Sequence, residues 1–119
     1  MKLKDIKKIL NCTVLVGDDV LEEEVDGVCA MDLMSDVLAF ARPGSLLLTG
    51  LTNAQSIITA YVAEIKAVIY ILGKKPDKEA LKLAREKGIV VMASKIPMYE
   101  ACGELYRQGL KAAETIIKE

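Results

Sequence analysis

Three apolar runs decide the fold: Leu46-Leu47-Leu48 closing in Thr49-Gly50, Ala67-Val68-Ile69-Tyr70-Ile71-Leu72 closing in Gly73, and Ile89-Val90-Val91-Met92 closing in Ala93-Ser94. Each is continuous rather than alternating, and turn residues bound each one. Such runs read as strands covered on both faces. The segments between them have helical spacing. Thr52 or Asn53 caps one helix, whose apolar face is Ala54, Ile57, Ile58, Tyr61, Val62 and Ile65. Gly73 to Pro76 is a turn. Asp77 caps a second helix with Ala80, Leu81 and Ala84 inward and lysines and acids outward, and Gly88 is its left-handed stop.

Upstream, Leu3, Ile6, Ile9 and Leu10 sit at helical spacing among lysines. Thr13-Val14-Leu15-Val16 is a strand ending at Gly17, and the acidic stretch from Asp18 to Glu24 is a loop or a turn of helix. A second strand falls within Val25 to Ala30. Asp32 or Ser35 then caps a helix carrying Met34, Val37, Leu38 and Ala41, which Pro43-Gly44 stops. Downstream, Pro97 opens a last helix with Tyr99, Cys102, Tyr106, Leu110, Ala113 and Ile117 on one stripe. Gly103 and Gly109 lie inside it, each costing about 1 kcal/mol relative to alanine. Repeated strand–helix alternation predicts one three-layer α/β domain over residues 1–119, with a mainly parallel sheet and helices on both faces. The segment Leu110 to Ile117 runs past the last strand and, with the high aliphatic content, predicts a homodimer.

Composition narrows the function. The chain has 119 residues, 52% of them hydrophobic, and 16 Lys plus Arg against 17 Asp plus Glu. That balance lacks the basic footprint of a nucleic-acid binder. No apolar run is long enough to span a bilayer, and the N-terminus lacks the apolar core of a signal peptide. The expectation is a cytoplasmic protein that binds neither nucleic acid nor membrane. Cys12, Cys29 and Cys102 are widely spaced and histidine is absent, so zinc or iron–sulfur ligand sets cannot be assembled from one chain, and no cofactor is expected. Glu22-Glu23-Glu24, with Asp18, Asp19 and Asp26, lacks calcium-loop spacing and reads as a solvated acidic face.

Catalytic machinery is sparse. Without histidine the commonest general base is missing, and an enzyme is not expected. Were there one, Cys29 or Ser35 near a helix start would be the first suspects as nucleophile. No complete phosphate-binding fingerprint occurs. Thr49-Gly50-Leu51-Thr52-Asn53 does run from a strand end into a helix N-terminus, where free N–H groups and the helix dipole favour anions. Gly17-Asp18, Gly73-Lys74-Lys75 and Ser94-Lys95 reach the same carboxyl edge, where open parallel sheets bind ligands. The candidate ligand-binding residues are Thr49, Gly50, Thr52, Asn53, Gly73, Lys74 and Ser94, for a small anion or nucleotide. In the plainer account Thr52 or Asn53 only caps a helix and the lysines are solvated.

Several stretches resemble the DRTGG domain family: Met1-Lys2-Leu3-Lys4-Asp5-Ile6, Met31 to Val37, and the block from Leu46 through Leu110. Within the block the closest likeness lies in Ile71-Leu72-Gly73-Lys74-Lys75-Pro76-Asp77, in Glu86-Lys87-Gly88-Ile89, and in Tyr99-Glu100-Ala101 leading to Gly103-Glu104-Leu105-Tyr106. The resemblance implies a compact, often dimeric α/β domain. It implies an accessory role, as beside CBS domains in regulated pyrophosphatases and in some phosphate acetyltransferases, with a likeness to the N-terminal domain of HPr kinase. Short stand-alone versions are similar to proteins encoded near iron-only hydrogenases. The eponymous motifs are altered: the Asp-Arg place holds Asn53-Ala54, and the Thr-Gly-Gly place holds Leu72-Gly73-Lys74, retaining only Gly73. Two functional expectations result. The first is a non-catalytic regulatory domain that senses a nucleotide or phosphorylated metabolite. The second is an interaction module of an iron-only hydrogenase or related redox complex.

Overall fold

The computed structural model describes residues 1–114. Its elements in chain order are α1 (Leu3–Ile9), β1 (Thr13–Val16), a short 3-10 turn (Asp18–Val20), β2 (Val28–Ala30), α2 (Met34–Phe40), β3 (Leu46–Thr49), α3 (Ala54–Val62), β4 (Ala67–Tyr70), α4 (Lys78–Lys87), β5 (Val90–Ala93) and α5 (Met98–Arg107). One five-stranded sheet has the order β1-β5-β4-β3-β2. β2 to β5 are mutually parallel, and β1 joins β5 antiparallel with a register irregularity between Val14 and Val16.

From β2 to β5 the chain adds each strand on the same side of the last. Right-handed crossovers taken repeatedly in one direction put every connecting helix on one face. Side-chain packing agrees. Leu47, Val68, Tyr70 and Val91 bury against Val37 of α2, Ile57 and Ala60 of α3, and Ala80 and Ala84 of α4. The alternate positions Leu46, Leu48, Ala67, Ile69 and Met92 bury against Leu3 and Ile6 of α1 and Ala101 and Leu105 of α5. The predicted three-layer α/β domain is therefore observed, three helices on one face and two on the other.

Four local expectations are overturned. First, α3 is rotated: it buries Ser56, Ile57, Thr59 and Ala60, while Ile58, Tyr61 and Val62 face outward. Ser56 is drawn inside because its Oγ donates to Asn53 O (2.7 Å) and shares a 2.7 Å hydrogen bond with the Tyr70 hydroxyl. Second, α5 ends at Arg107, and Gly109 (φ +98°) terminates it. Tyr99 and Tyr106 stand in solvent, because Ala101 and Leu105 fill the inward face. Third, Leu110–Glu114 turns back onto its own domain. Val28 N donates to Lys111 O, Ala113 N to Val28 O, and Ala30 N to Glu114 Oε1. These bonds occupy the open edge of β2; Ile117 lies outside the described residues. Fourth, α2 begins after Leu33 rather than at Asp32 or Ser35, while Asn53 and Asp77 do stand at the N-cap positions of α3 and α4 without a capping side-chain hydrogen bond.

Around Glu22 the acidic stretch is paired. Glu22 carboxylate oxygens accept from Lys2 and Lys4, both at 2.9 Å, and these hydrogen bonds hold the carboxyl below its ordinary range. Among the described residues no helix is long and apolar enough to cross a membrane.

Candidate functional site

The carboxyl ends of β2 to β5 lie along one edge, and it divides into two halves. Over β2 and β3, Thr49 is fully buried, and its Oγ1 donates to Asp32 Oδ1 at 2.9 Å while accepting from Leu51 N. Gly50 N donates to the same Asp32 oxygen at 2.7 Å. A carboxylate of this chain thus satisfies donors beside the start of α3, where the sequence placed an external anion. Thr52 O accepts from Asp77 N, which ties the loop after β3 to the start of α4, and Asn53 is exposed. The four predicted residues of this half, Thr49, Gly50, Thr52 and Asn53, are held chiefly by internal bonds.

Over β4 and β5 the edge is open. β5 is the last strand of the parallel run, and the chain leaves it for α5 on the opposite face from α4. Two diverging connections leave a crevice at such a point. Antiparallel β1 supplies its far wall. The result is a cleft of about 570 Å³. Gly73, Lys74, Lys75 and Lys95 line it, with Asn11, Thr13 and Ser94 as polar neighbours and Leu10, Leu15, Leu81 and Ile96 as apolar ones. The lining carries three lysines and no carboxylate, in a chain where acids outnumber bases. Of the predicted site residues, Gly73, Lys74 and Ser94 meet here. Lys74 also connects the halves, its Nζ reaching Gly50 O at 3.4 Å.

Two of the three non-glycine residues with positive φ among the described residues stand at the cleft rim, the third being Glu64 after α3. Asn11 (φ +51°) and Leu72 (φ +61°) are non-glycine residues in the left-handed region, and Gly73 (φ +67°) follows Leu72 directly. A residue with a Cβ gives up about 1–2 kcal/mol there, and such conformations persist where surrounding bonds over-determine them. Leu72 N donates to Ile96 O and Gly73 N to Ser94 O (2.9 Å), so the loops after β4 and β5 brace each other. Ser94, nearly fully buried, donates from Oγ to Leu10 O at 2.7 Å and accepts from Ile96 N. That hydroxyl joins the end of α1 to the end of β5, and it acts on the cleft by holding its walls.

The segments bearing Lys75 and Lys95 were legible as arrivals at this edge. The wall from Leu10 to Leu15 was missed, because hydrophobic runs do not state that β1 pairs antiparallel beside β5. Asp32 was read as a helix cap and is instead the partner of Thr49 and Gly50. The suspected nucleophile Cys29 is fully buried, and burial first, then nearby Glu114, pushes its thiol up to about 12. Burial likewise raises Cys12, at the cleft, to about 11. A reactive thiolate needs the opposite shift. Among the described residues no three Asp, Glu or Cys side chains gather in a way that could hold a metal ion.

Fold and edge together define a small α/β domain with a basic crevice at the end of its last parallel strand. The DRTGG domain family profile matches residues 5–107, and the chain belongs to that family. A similar solved structure is the CBS and DRTGG regulatory region of a Clostridium perfringens pyrophosphatase, complexed with its activator diadenosine tetraphosphate. The TM-score is 0.73 at 18% sequence identity, over 96% of this chain and 50% of that one. The chain thus spans half the length of that neighbour. No curated protein matches it.

Proposed function

We propose that this chain is a regulatory domain that binds a small phosphorylated ligand, of the nucleotide class, in the cleft between β4, β5 and β1. The observation that carries this reading is the cleft lining: Lys74, Lys75 and Lys95 with no acid among them. Lysine ammonium groups are point-charge partners for phosphate. The apolar wall from Leu10, Leu15, Leu81 and Ile96 supplies a surface of the kind that receives a flat base, and such mixed lining is usual for small-molecule sites. The pyrophosphatase neighbour supports the ligand class, since its regulatory region was crystallised with a dinucleoside polyphosphate activator. A regulatory rather than catalytic role is consistent with the raised thiols and the lack of histidine.

The test is calorimetric titration of the full chain with ATP, diadenosine tetraphosphate, tripolyphosphate and adenosine. The expected result is binding of the two nucleotides, weaker binding of tripolyphosphate, and loss of each when Lys74, Lys75 and Lys95 are replaced by alanine. No heat and no thermal shift at millimolar ligand overturns the proposal. The interaction-module reading has its own support in the outward apolar face of Ile58, Tyr61 and Val62. Neither comparison brings a redox enzyme with it.

A further inference from the structure

The cleft wall opposite the β4 loop carries polar groups that the domain leaves unused. Asn11 and Thr13 line the cleft from the β1 side, and both are exposed. Among the described residues neither side chain has a hydrogen-bond partner. Ser94, by contrast, engages its hydroxyl with Leu10 O and Ile96 N. Asn11 sits at φ +51°, where asparagine and glycine are tolerated best. Its backbone is fixed there, with Asn11 N donating to Lys8 O at 3.3 Å and Cys12 N to Lys7 O at 2.8 Å. Glycine would satisfy that conformation equally well. Asparagine adds an amide, with a donor and an acceptor side by side.

Placement says what that amide can read. Across the edge the strand order is β4, β5, β1. Lys74 and Lys75 follow β4, Lys95 follows β5, and Asn11 just precedes β1. Neighbouring strands lie about 4.8 Å apart, so Asn11 stands about 10 Å across the cleft from the first lysine loop. The charged groups lining the cleft are those three lysines, and Lys7 of α1 acts on Cys12 from outside it. Phosphates held by the lysines therefore direct the uncharged end of a nucleotide toward β1. Apolar support lies on that side. Thr13 and Leu15 share one face of their strand, and Leu15 and Leu81 pack against the same apolar cluster on the α4 face of the sheet. A flat base resting on Leu15 and Leu81 presents its edge toward Asn11. Asparagine pairs in bidentate fashion with adenine, whose N6 amino group donates beside the N7 acceptor.

We propose that Asn11 is a specificity-determining residue of the cleft: its amide oxygen accepts from the N6 amino group of an adenine, and its amide nitrogen donates to the neighbouring ring nitrogen. This role rests on the nucleotide reading of the cleft.

Calorimetric titration of the full chain with ATP, purine riboside triphosphate and tripolyphosphate tests it, in the wild type and in Asn11→Gly. Purine riboside triphosphate lacks the N6 amino group and keeps the ring nitrogens. Glycine suits the left-handed backbone and removes only the amide, so the variant gains no strain. The wild type is expected to bind ATP about tenfold more tightly than the analogue. Asn11→Gly should bring that ratio to within about twofold, while tripolyphosphate affinity stays within about twofold of the wild type. Equal wild-type affinity for ATP and the analogue overturns the role. So does a preference that survives in Asn11→Gly, or tripolyphosphate binding that falls as far as ATP binding does. A wild type that binds tripolyphosphate and not ATP overturns the role and leaves a basic anion cleft standing. Binding of none of the three overturns the nucleotide reading itself, and this role with it.

Discussion

The two halves of the carboxyl edge are built alike and end up differently. Both consist of parallel strands running into polar loops, and both carry donors suited to an anion. Over β2 and β3 the chain fills the position itself, with Asp32 accepting from Thr49 and Gly50. Over β4 and β5 the basic groups line an open cleft. The difference lies in where the chain goes next. α2 and α3 return over the same face, so their loops close on one another. α5 departs to the other face, and its divergence from α4 keeps the edge apart. A turn sequence therefore does not by itself leave a cleft open; the path of the following helix does.

The comparison can be broken most directly by exchanging charges. Replacing Lys74, Lys75 and Lys95 together with alanine is expected to weaken ATP binding by about tenfold to a hundredfold, the lower end reflecting solvent screening of exposed lysines. Asp32→Ala should leave that affinity within about twofold, because the carboxylate serves the other half. Calorimetric titration of both variants decides. If Asp32→Ala has the larger effect, the ligand sits over β3 and the assignment of the halves is reversed.

Stability sharpens the same contrast. Thr49→Val strips the buried hydroxyl from the closed half, and denaturant unfolding should show a loss of about 1–2 kcal/mol. Ser94→Ala removes the bond between Ser94 Oγ and Leu10 O. It should cost about 1 kcal/mol and loosen the cleft wall as well, so its melting temperature should recover more with saturating ATP than that of Thr49→Val. Equal recovery in the two variants would remove the distinction between filled and open halves.

The smallest effects are those of the thiols. Burial holds Cys12 up at about 11 and Cys29 up at about 12, against an ordinary 9.0. Folding thus favours the protonated thiol. The stabilisation is complete below pH 9 and disappears as pH rises through the folded values. Urea midpoints should be insensitive to these groups at pH 7–8 and decline between about pH 9 and 12, and replacing both cysteines with alanine should flatten that decline. At pH 8 alkylation of Cys12 should be slow, and slower still with ATP in the cleft that Cys12 lines. Cys29, fully buried in β2, should not respond to the ligand.

Much of this was legible in the chain. The runs Leu46–Leu48, Ala67–Leu72 and Ile89–Met92 each contain an observed strand or most of one, because a strand buried on both faces must be apolar throughout. Gly88 was readable as a helix stop from its type and place, and its φ is +71°. Helix faces were less legible. Ile58, Tyr61 and Val62 follow the apolar period, yet α3 turns Ser56 and Thr59 inward. Periodicity cannot foresee that, since the orientation depends on a hydroxyl of β4, Tyr70, fourteen residues away from Ser56. The site divided similarly. That Gly73, Lys74 and Ser94 arrive at the carboxyl edge was readable from strand ends alone, and they line the cleft, while the Leu10–Leu15 wall depended on a pairing no local pattern records.

By itself, then, the sequence determined a parallel-stranded α/β domain, because continuous apolar runs and helical spacing bound that property directly. Tertiary structure alone decided which half of the carboxyl edge stays open, which side of α3 and α5 meets solvent, and that Leu110–Glu114 folds home onto β2. Each depends on contacts between residues far apart in the chain, where geometry selects among arrangements that local propensity leaves equal in energy.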